Sequence, residues 1–421
     1  MVVLSAVSGT TNALLTIADR IRRGQAIGAD LDQLRTFYEA YTDDLLATEP
    51  GRQRARQVVE HQLKQVQEQA VLAQTAATGA RAWDYSEKII LAQGELISTQ
   101  LFQLLAQEQG GEVVLLSALN FLRLRADQEP DLALLRSRLE MTLEAYAGES
   151  LFITQGYICR NAMGHIDNLQ RGGSDYTATL IGAAIDAKEV QIWTDIDGLH
   201  NNDPRLVEHT QPVRRVSYRE AAELAYFGAK ILHPTCVIPA ERADIPLRLK
   251  NTLQPQAPGT LISSRGSGQV VAALAAKKGI TAIRIQSDRM LNAYGFLRRV
   301  FDVFERHCTP VDMITTSEVS VSLTIDEVRA LPVIMDELQQ LGTVTLDTGQ
   351  TIICLVGDQI QSSTTVLAQV SQTLSGIPLR MISFGGSRNN ISILLEETHA
   401  QEALQRLHQE VFAPVSTQQA C

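Results

Sequence analysis

The segment Leu169-Gln-Arg-Gly-Gly-Ser-Asp-Tyr176 concentrates groups that bind an anion. Arg171 carries a planar, five-donor fork that suits a carboxylate or a phosphate. Gly172 and Gly173 let backbone N–H groups come close to a ligand. Ser174 and Asp175 are helix-starting residues, and a helix N-terminus favours negative charge. The plainer alternative is a tight turn with a good cap; an arginine before it and a helix after it favour anion binding. Downstream, Thr194-Asp-Ile-Asp-Gly198 ends a strand-like run, where α/β sheets place their ligands. With Asp203-Pro-Arg205 it offers carboxylates for magnesium-bound water or a nucleotide and a cation for a phosphate, or else an ordinary acidic turn.

Other candidates are weaker by themselves. Lys230, in Phe227-Gly-Ala-Lys230, satisfies helix-end carbonyls or reaches a phosphate. Glu95, in Gln93-Gly-Glu95, reads from spacing alone as a solvated helix glutamate, with binding of a substrate ammonium as the alternative. Ser5, Thr10 and Thr11 follow the first strand and line the same cleft or simply build a turn. His233-Pro234 marks a helix end, and no histidine or cysteine lies near it at ligand spacing. No metal-ligating set is identified.

The elements that must position these groups alternate. Residues 1–7 are expected as a buried strand, 12–23 as a helix, and 30–150 as mostly helical, with Gly94-Glu95 inside a helix from Ser86 to Gln107. Strands are expected at 112–117, 151–158, 189–194 and 245–250. This order indicates a layered sheet with helices on both faces. Ser217-Tyr-Arg-Glu220 has the form of a capping box opening a helix to about Phe227, with Gly228 as C-cap. Pro255 to Gly268 is expected to be a domain boundary. Beyond it lies a doubled pattern. Strand 281–286, helix 295–307, strands 311–315 and 318–325, helix 327–341 and strand 343–347 form one βαββαβ unit. Strand 351–356, helix 364–374, strands 378–383 and 390–395 and helix 398–411 begin a second that lacks its closing strand. Val270 to Leu274 is the candidate to supply it.

The 421 residues exceed one ordinary core, so two or three domains are expected. A net charge of −10 argues against nucleic acid as the main partner. Five scattered cysteines (159, 236, 308, 354 and 421) imply reduced thiols without a zinc site, and hence a cytoplasmic setting. The apolar start has no basic n-region of a signal peptide, and no run is expected to approach a membrane span.

With these motifs the chain resembles the aspartokinase family, most closely its lysine-sensitive monofunctional type. The matches run through Val2-Val-Leu-Ser-Ala6, Gln93-Gly-Glu-Leu-Ile97, Arg171-Gly-Gly-Ser-Asp-Tyr-Thr-Ala178, Ile192-Trp-Thr-Asp195, Asp203-Pro-Arg205, Phe227-Gly-Ala-Lys-Ile-Leu-His-Pro234, Gly259-Thr-Leu261, Gly295-Phe-Leu297 and Val311-Asp-Met-Ile-Thr-Thr-Ser-Glu-Val-Ser-Val321. The resemblance implies an α/β amino-acid-kinase fold over 1–265, then two ferredoxin-like ACT domains over 270–348 and 349–421. It implies transfer of the ATP γ-phosphoryl group to the side-chain carboxylate of aspartate, the first step of lysine, threonine and methionine biosynthesis, with Mg2+ bridging the phosphates. Arg171 would clamp the aspartate α-carboxylate, Glu95 meet its ammonium, Thr11 (or Thr10) its side-chain carboxylate, and Gly172, Gly173 and Ser174 line the pocket. Asp175 would organise the reacting groups. Thr194, Asp195, His200, Arg205, Lys230 and Ile231 match ATP contacts. Lysine as allosteric inhibitor would meet Met290, Ala293, Phe296, Leu297, Asp312 and Glu318, in a homodimer formed by the ACT domains, with further pairing to a tetramer left open.

The departures are specific. The family's opening Lys-Phe-Gly-Gly-Thr strand has no counterpart, so either the sequence is incomplete at its start or the chain is a degraded paralogue, and as it begins at Met1 weak or absent kinase activity is expected. His200 replaces a tyrosine, Asp167-Asn-Leu-Gln170 replaces Thr-Thr-Leu-Gly, Gln93-Gly-Glu95 replaces His-Gly-Glu, and Asn292-Ala293 replaces His-Ser. The alternative is an impaired paralogue serving as an amino-acid-binding regulatory subunit.

Overall fold

The computed structural model describes residues 1–75, 80–169, 172–228, 232–290 and 294–412. Along the chain the elements are β1 (Val2–Leu4), α1 (Thr10–Arg22), α2 (Gly28–Leu45), α3 (Glu49–Thr75), α4 (Ala80–Glu108), β2 (Val114–Leu116), α5 (Leu132–Ala145), β3 (Phe152–Gln155), β4 (Ile158–Arg160), β5 (Ile166–Asn168) and α6 (Gly173–Ala184). There follow β6 (Val190–Thr194), β7 (Arg215–Ser217), α7 (Tyr218–Tyr226), α8 (Pro234–Ala243), β8 (Leu247–Asn251) and β9 (Thr260–Ser263). The last part holds β10 (Ala273–Gln286), α9 (Phe296–Arg306), β11 (Ile314–Thr316), β12 (Ser320–Ile325), α10 (Leu331–Gln339), β13 (Thr343–Val356), α11 (Thr364–Thr373), β14 (Leu379–Phe384), β15 (Asn390–Glu396) and α12 (Glu397–Phe412). They form two compact units, one of Met1–Val190 with Thr235–Ile245, the other of Gln191–Pro234 with Pro246 onward.

In the first unit β1, β3 and β2 form a parallel ladder in that order. Helix α1 buries Thr10, Leu14, Ile17, Ala18 and Ile21, a helical-period stripe, against α2, α3 and α4. The first strand is only half-buried because it is the outer strand of this ladder, so the expected fully buried strand is corrected. The expected single strand 151–158 is two, broken at Gly156-Tyr157, where Tyr157 takes a φ of 64°. Within α4, residues Trp83–Glu108 are long and apolar enough to cross a membrane, contrary to expectation; 56% of that apolar window is buried inside the chain, which accounts for its composition.

In the second unit the order is β6-β8-β9-β7. Strand β9 lies inside the stretch expected as a linker, with Thr260 and Ile262 fully buried between two partners; its flanking prolines and glycines hid a short strand. The capping box at α7 is present in both directions: the Ser217 N–H donates to Glu220 Oε2 at 2.7 Å and the Glu220 N–H to Ser217 Oγ at 3.1 Å. Glu220 is fully buried because it also accepts from the Ser267 hydroxyl at 2.7 Å.

The doubled pattern folds as one six-stranded antiparallel sheet, β11-β12-β10-β13-β15-β14. Both central strands are long and each serves two units. Thr281–Gln286 of β10 pairs with β12, while Ala273–Lys277 pairs with Ile352–Val356 of β13. The segment before the first copy therefore closes the second, as its apolar pattern indicates. Two ferredoxin-like units share the β10–β13 ladder, with a register shift between Lys277 and Ile280 where one passes into the other. Each keeps its own core: Phe296, Val300, Val303 and Phe304 under the first, Leu404 and Leu407 of α12 under the second.

Candidate functional site

The site in the first unit is built where α4, the turn after β1 and the start of α6 meet single residues of the same fold. Gly94 makes the approach of α4 to β1 possible, since a Cβ there would lie 2.8 Å from the Ala6 Cβ. That contact sets Glu95 beside the chain after β1. The Ala6 N–H donates to Glu95 Oε1 at 3.3 Å, and Ser98 Oγ, one turn on, donates to the Ser5 carbonyl at 2.7 Å. Glu95 is 3% exposed, and its Oε2 has no hydrogen-bond partner among the described residues. Burial pushes its carboxyl up to about 7. The solvated-glutamate reading is thereby corrected: a glycine one residue earlier lets the helix sink onto the strand, which spacing alone does not reveal.

Asp175 sits in the first turn of α6, whose N-cap is Gly172 in the left-handed region at φ 73°. A Cβ on Gly173 would lie 2.4 Å from the Tyr157 ring, so only glycine lets the helix start close on that turn. The Tyr157 N–H donates to Thr177 Oγ1 at 3.0 Å, locking turn and helix together. Asp175 is half-buried, and burial raises its carboxyl to about 6. Ser174 lies beside it in the same turn. Thr10 and Thr11 open α1; Thr10 is buried and its hydroxyl is 2.8 Å from that of Tyr38, whereas Thr11 is half-buried. Tyr38, Tyr157 and Ser98 carry no sequence motif, and Thr177 stands in the Arg171–Ala178 motif without a role that sequence assigns. Asp167 was noticed only as a departure; it is buried and ion-paired with Lys88 on α4.

In the second unit, Thr194 ends β6 and its hydroxyl accepts from the Ile196 N–H at 3.1 Å, which turns the chain so that Asp195 is exposed. His200 is held inward by Asp197 at 2.6 Å and Thr210 at 3.0 Å, a supporting role in the turn. Arg205 is 73% exposed at its side chain and paired with Asp203 at 2.7 Å. Thr194, Asp195 and Arg205 offer donors and acceptors for a ribose or phosphate. Among the described residues no group of three or more His, Cys, Asp or Glu could hold a metal ion by itself.

The predicted effector positions lie in the first ferredoxin-like unit of that sheet. Phe296 is a core residue, Met290 packs against the same core, Leu297 is 39% exposed and Glu318 is exposed. Asp312 differs from expectation: its fully buried side chain already holds an ammonium, that of Lys277 at 2.7 Å. Arg171, Lys230, Ile231 and Ala293 lie outside the described residues.

The amino acid kinase family model matches residues 1–251, and an ACT-domain model matches 353–411. The chain is 33% identical to the lysine-sensitive aspartokinase 3 of Escherichia coli over 98% of this chain and 92% of that protein. The chain belongs to the aspartokinase family. Its structure is similar to Escherichia coli aspartokinase III in complex with aspartate and ADP (R-state), with a TM-score of 0.85 at 33% identity, covering 97% of this chain and 92% of that one. The same enzyme in complex with lysine and aspartate (T-state) gives 0.78 at 32% identity with the same coverage. Aspartokinase membership accounts for the amino-acid-kinase fold followed by the ACT-type sheet.

Proposed function

We propose that this aspartokinase transfers the γ-phosphoryl group of ATP to the side-chain carboxylate of L-aspartate. One observation carries the reading: Glu95 is a buried carboxylate with an oxygen unpartnered among the described residues, set against the chain after β1. Such a group is costly unless a cation arrives. The aspartate ammonium is that cation, with the α-carboxylate taken by Arg171 and the side chain by Thr11, near Gly172, Gly173 and Ser174. An oxygen of the aspartate side chain attacks the γ-phosphorus, the bond to the β-phosphate oxygen breaks, and ADP leaves. Positioning and charge neutralisation supply the catalysis. Asp175 orients the reacting groups. Thr194, Asp195, His200, Arg205, Lys230 and Ile231 hold the nucleotide, His200 by keeping the turn in shape. Mg2+ would arrive bound by the nucleotide's phosphate oxygens and would supply neutralisation of their charge.

Regulation follows the same reading. The domains are taken as 1–265, 270–348 and 349–421, with lysine bound by the first ACT unit and lowering activity. The exposed Leu297 and Phe301, one turn apart on α9, support pairing of two such sheets in a homodimer. The alternative of an impaired, amino-acid-binding subunit is favoured by one observation, the ion pair of half-buried Lys88 with buried Asp167 where the family pattern has threonine.

Isothermal titration with aspartate, alone and with ATP analogues, tests the site together with a hydroxamate assay for aspartyl phosphate. Arg171→Ala is expected to abolish aspartate binding while nucleotide binding persists, since losing a charged, bidentate partner costs about 1.5–3 kcal/mol or more. An unchanged aspartate KM in that variant rejects the assignment. Aspartate binding without turnover, persisting when a Lys-Phe-Gly-Gly-Thr segment is supplied ahead of Met1, selects the regulatory-subunit alternative.

A further inference from the structure

Lys277 stands at the junction of the two ferredoxin-like units, at the last residue pair before the register shift in β10. Its ammonium lies 2.7 Å from Asp312 Oδ1 and 2.8 Å from Asp326 Oδ2, and 4.6 Å from the centre of the Tyr226 ring. The Tyr226 hydroxyl donates to the same Asp312 Oδ1 at 2.7 Å. Asp312 is fully buried at its side chain, and its second oxygen, Oδ2, has no hydrogen-bond partner among the described residues. The cluster thus joins α7, within the segment matched by the amino acid kinase family, to the regulatory sheet. It holds two carboxylates and one ammonium, so it carries one negative charge in excess. Lys277 and Asp326 are 18% and 30% exposed, which leaves a path from solvent.

We propose that Lys277 is an internal competitor for the ammonium of an amino-acid effector, and so sets the affinity with which Asp312 takes one. This deepens the lysine-regulation reading above and rests on it for the identity of the effector. A second ammonium that seeks Asp312 meets either a positive charge already at Oδ1 or Oδ2, unpartnered among the described residues, beside that charge. In both cases Lys277 opposes it, through displacement in the first and repulsion in the second. An effector that does bind must loosen the hold of Asp312 on Lys277 and Tyr226. Effector occupancy is thereby tied to the contact between the sheet and α7, which gives the effector unequal affinities for two arrangements.

The test is a titration of full-length protein with lysine, read by calorimetry and by melting temperature. Lys277→Gln keeps a hydrogen-bond donor and removes the charge. It is expected to tighten lysine binding by about tenfold or more, the factor that one charge-assisted hydrogen bond commands. Lys277→Arg keeps the charge and grips the carboxylates with a planar fork, so lysine binding is expected to weaken or stay as in the wild type. Unchanged or weaker binding in Lys277→Gln, or tighter binding in Lys277→Arg, overturns the proposal. The arginine variant decides alone if the glutamine variant does not melt cooperatively. A parallel titration with n-butylammonium separates this idea from the choice of effector. If lysine leaves the wild type and both variants unmoved but n-butylammonium stabilises only Lys277→Gln, lysine is the wrong effector and Lys277 keeps its role. If neither amine binds any of the three proteins, the competitor role is rejected as well.

Discussion

Glu95 and Asp312 are both carboxylates removed from water, and they are treated in opposite ways. Asp312 is answered from within by Lys277 and by the Tyr226 hydroxyl. Glu95 is answered by one long N–H donation from Ala6 and by no cation among the described residues. A buried carboxylate whose cation is supplied from within takes an outside ammonium only against that cation, whereas one with no cation among the described residues is open to one. The direction of the carboxyl shift alone does not separate them, because burial raises both. The partner list does.

Four substitutions sharpen or break this contrast. The largest effect is expected for Asp312→Ala, which leaves Lys277 with only the half-exposed Asp326; removing one member of a buried pair costs about 3–5 kcal/mol. Urea unfolding checks it, and a loss below about 1 kcal/mol, the ordinary value for a surface pair, would place this cluster among surface ion pairs. Glu95→Gln is expected to do the reverse. The folded carboxyl titrates at about 7 against an ordinary 4.5. Its stability contribution is therefore fully present below pH 4.5 and lost as pH rises through 7, because the unfolded chain ionises first. Relative to the wild type, the glutamine variant should gain roughly 2–3 kcal/mol at pH 8 and nothing near pH 4, while aspartate binding is lost. Melting curves across that range decide it; a gain independent of pH would show that charge is not the cause.

Tyr226→Phe keeps the ring under the Lys277 ammonium and removes only the hydroxyl, so a smaller loss of about 1.5 kcal/mol is expected in the same urea assay. A neutral result would mean that the phenol adds nothing to the hold on Asp312. The smallest change is expected for Asp175→Asn. Asp175 is raised to about 6 by burial but is only half-buried and stands in a helix first turn that favours its anion. A gain of about 1 kcal/mol is expected at pH 8, fading as pH falls from 6 to 4. A stability loss at pH 8 would show that its charge already has a partner.

Much of the architecture was legible in the chain itself. The capping box at Ser217, the amphipathic stripe of α9 and the alternation in β12 are local patterns, set by residues within a turn or two of one another, so periodicity suffices to find them. The closing role of residues 270–274 was legible for the same reason: an apolar run without a partner stood beside a unit lacking one strand. Short strands such as β9 and the break at Gly156-Tyr157 were not, because prolines and glycines look alike in a linker and at the ends of a strand. Among site residues, the glycine pair and Asp175 announce a helix start from sequence alone. What tertiary structure decided was which charges are answered. Glu95 looks like any helix glutamate until Gly94 lets α4 sink onto β1, and Asp312 looks like a free ligand until β10 carries Lys277 to it. Both outcomes turn on contacts between residues 35 to 89 positions apart in the chain, and burial and pairing at that separation have no signature in local spacing.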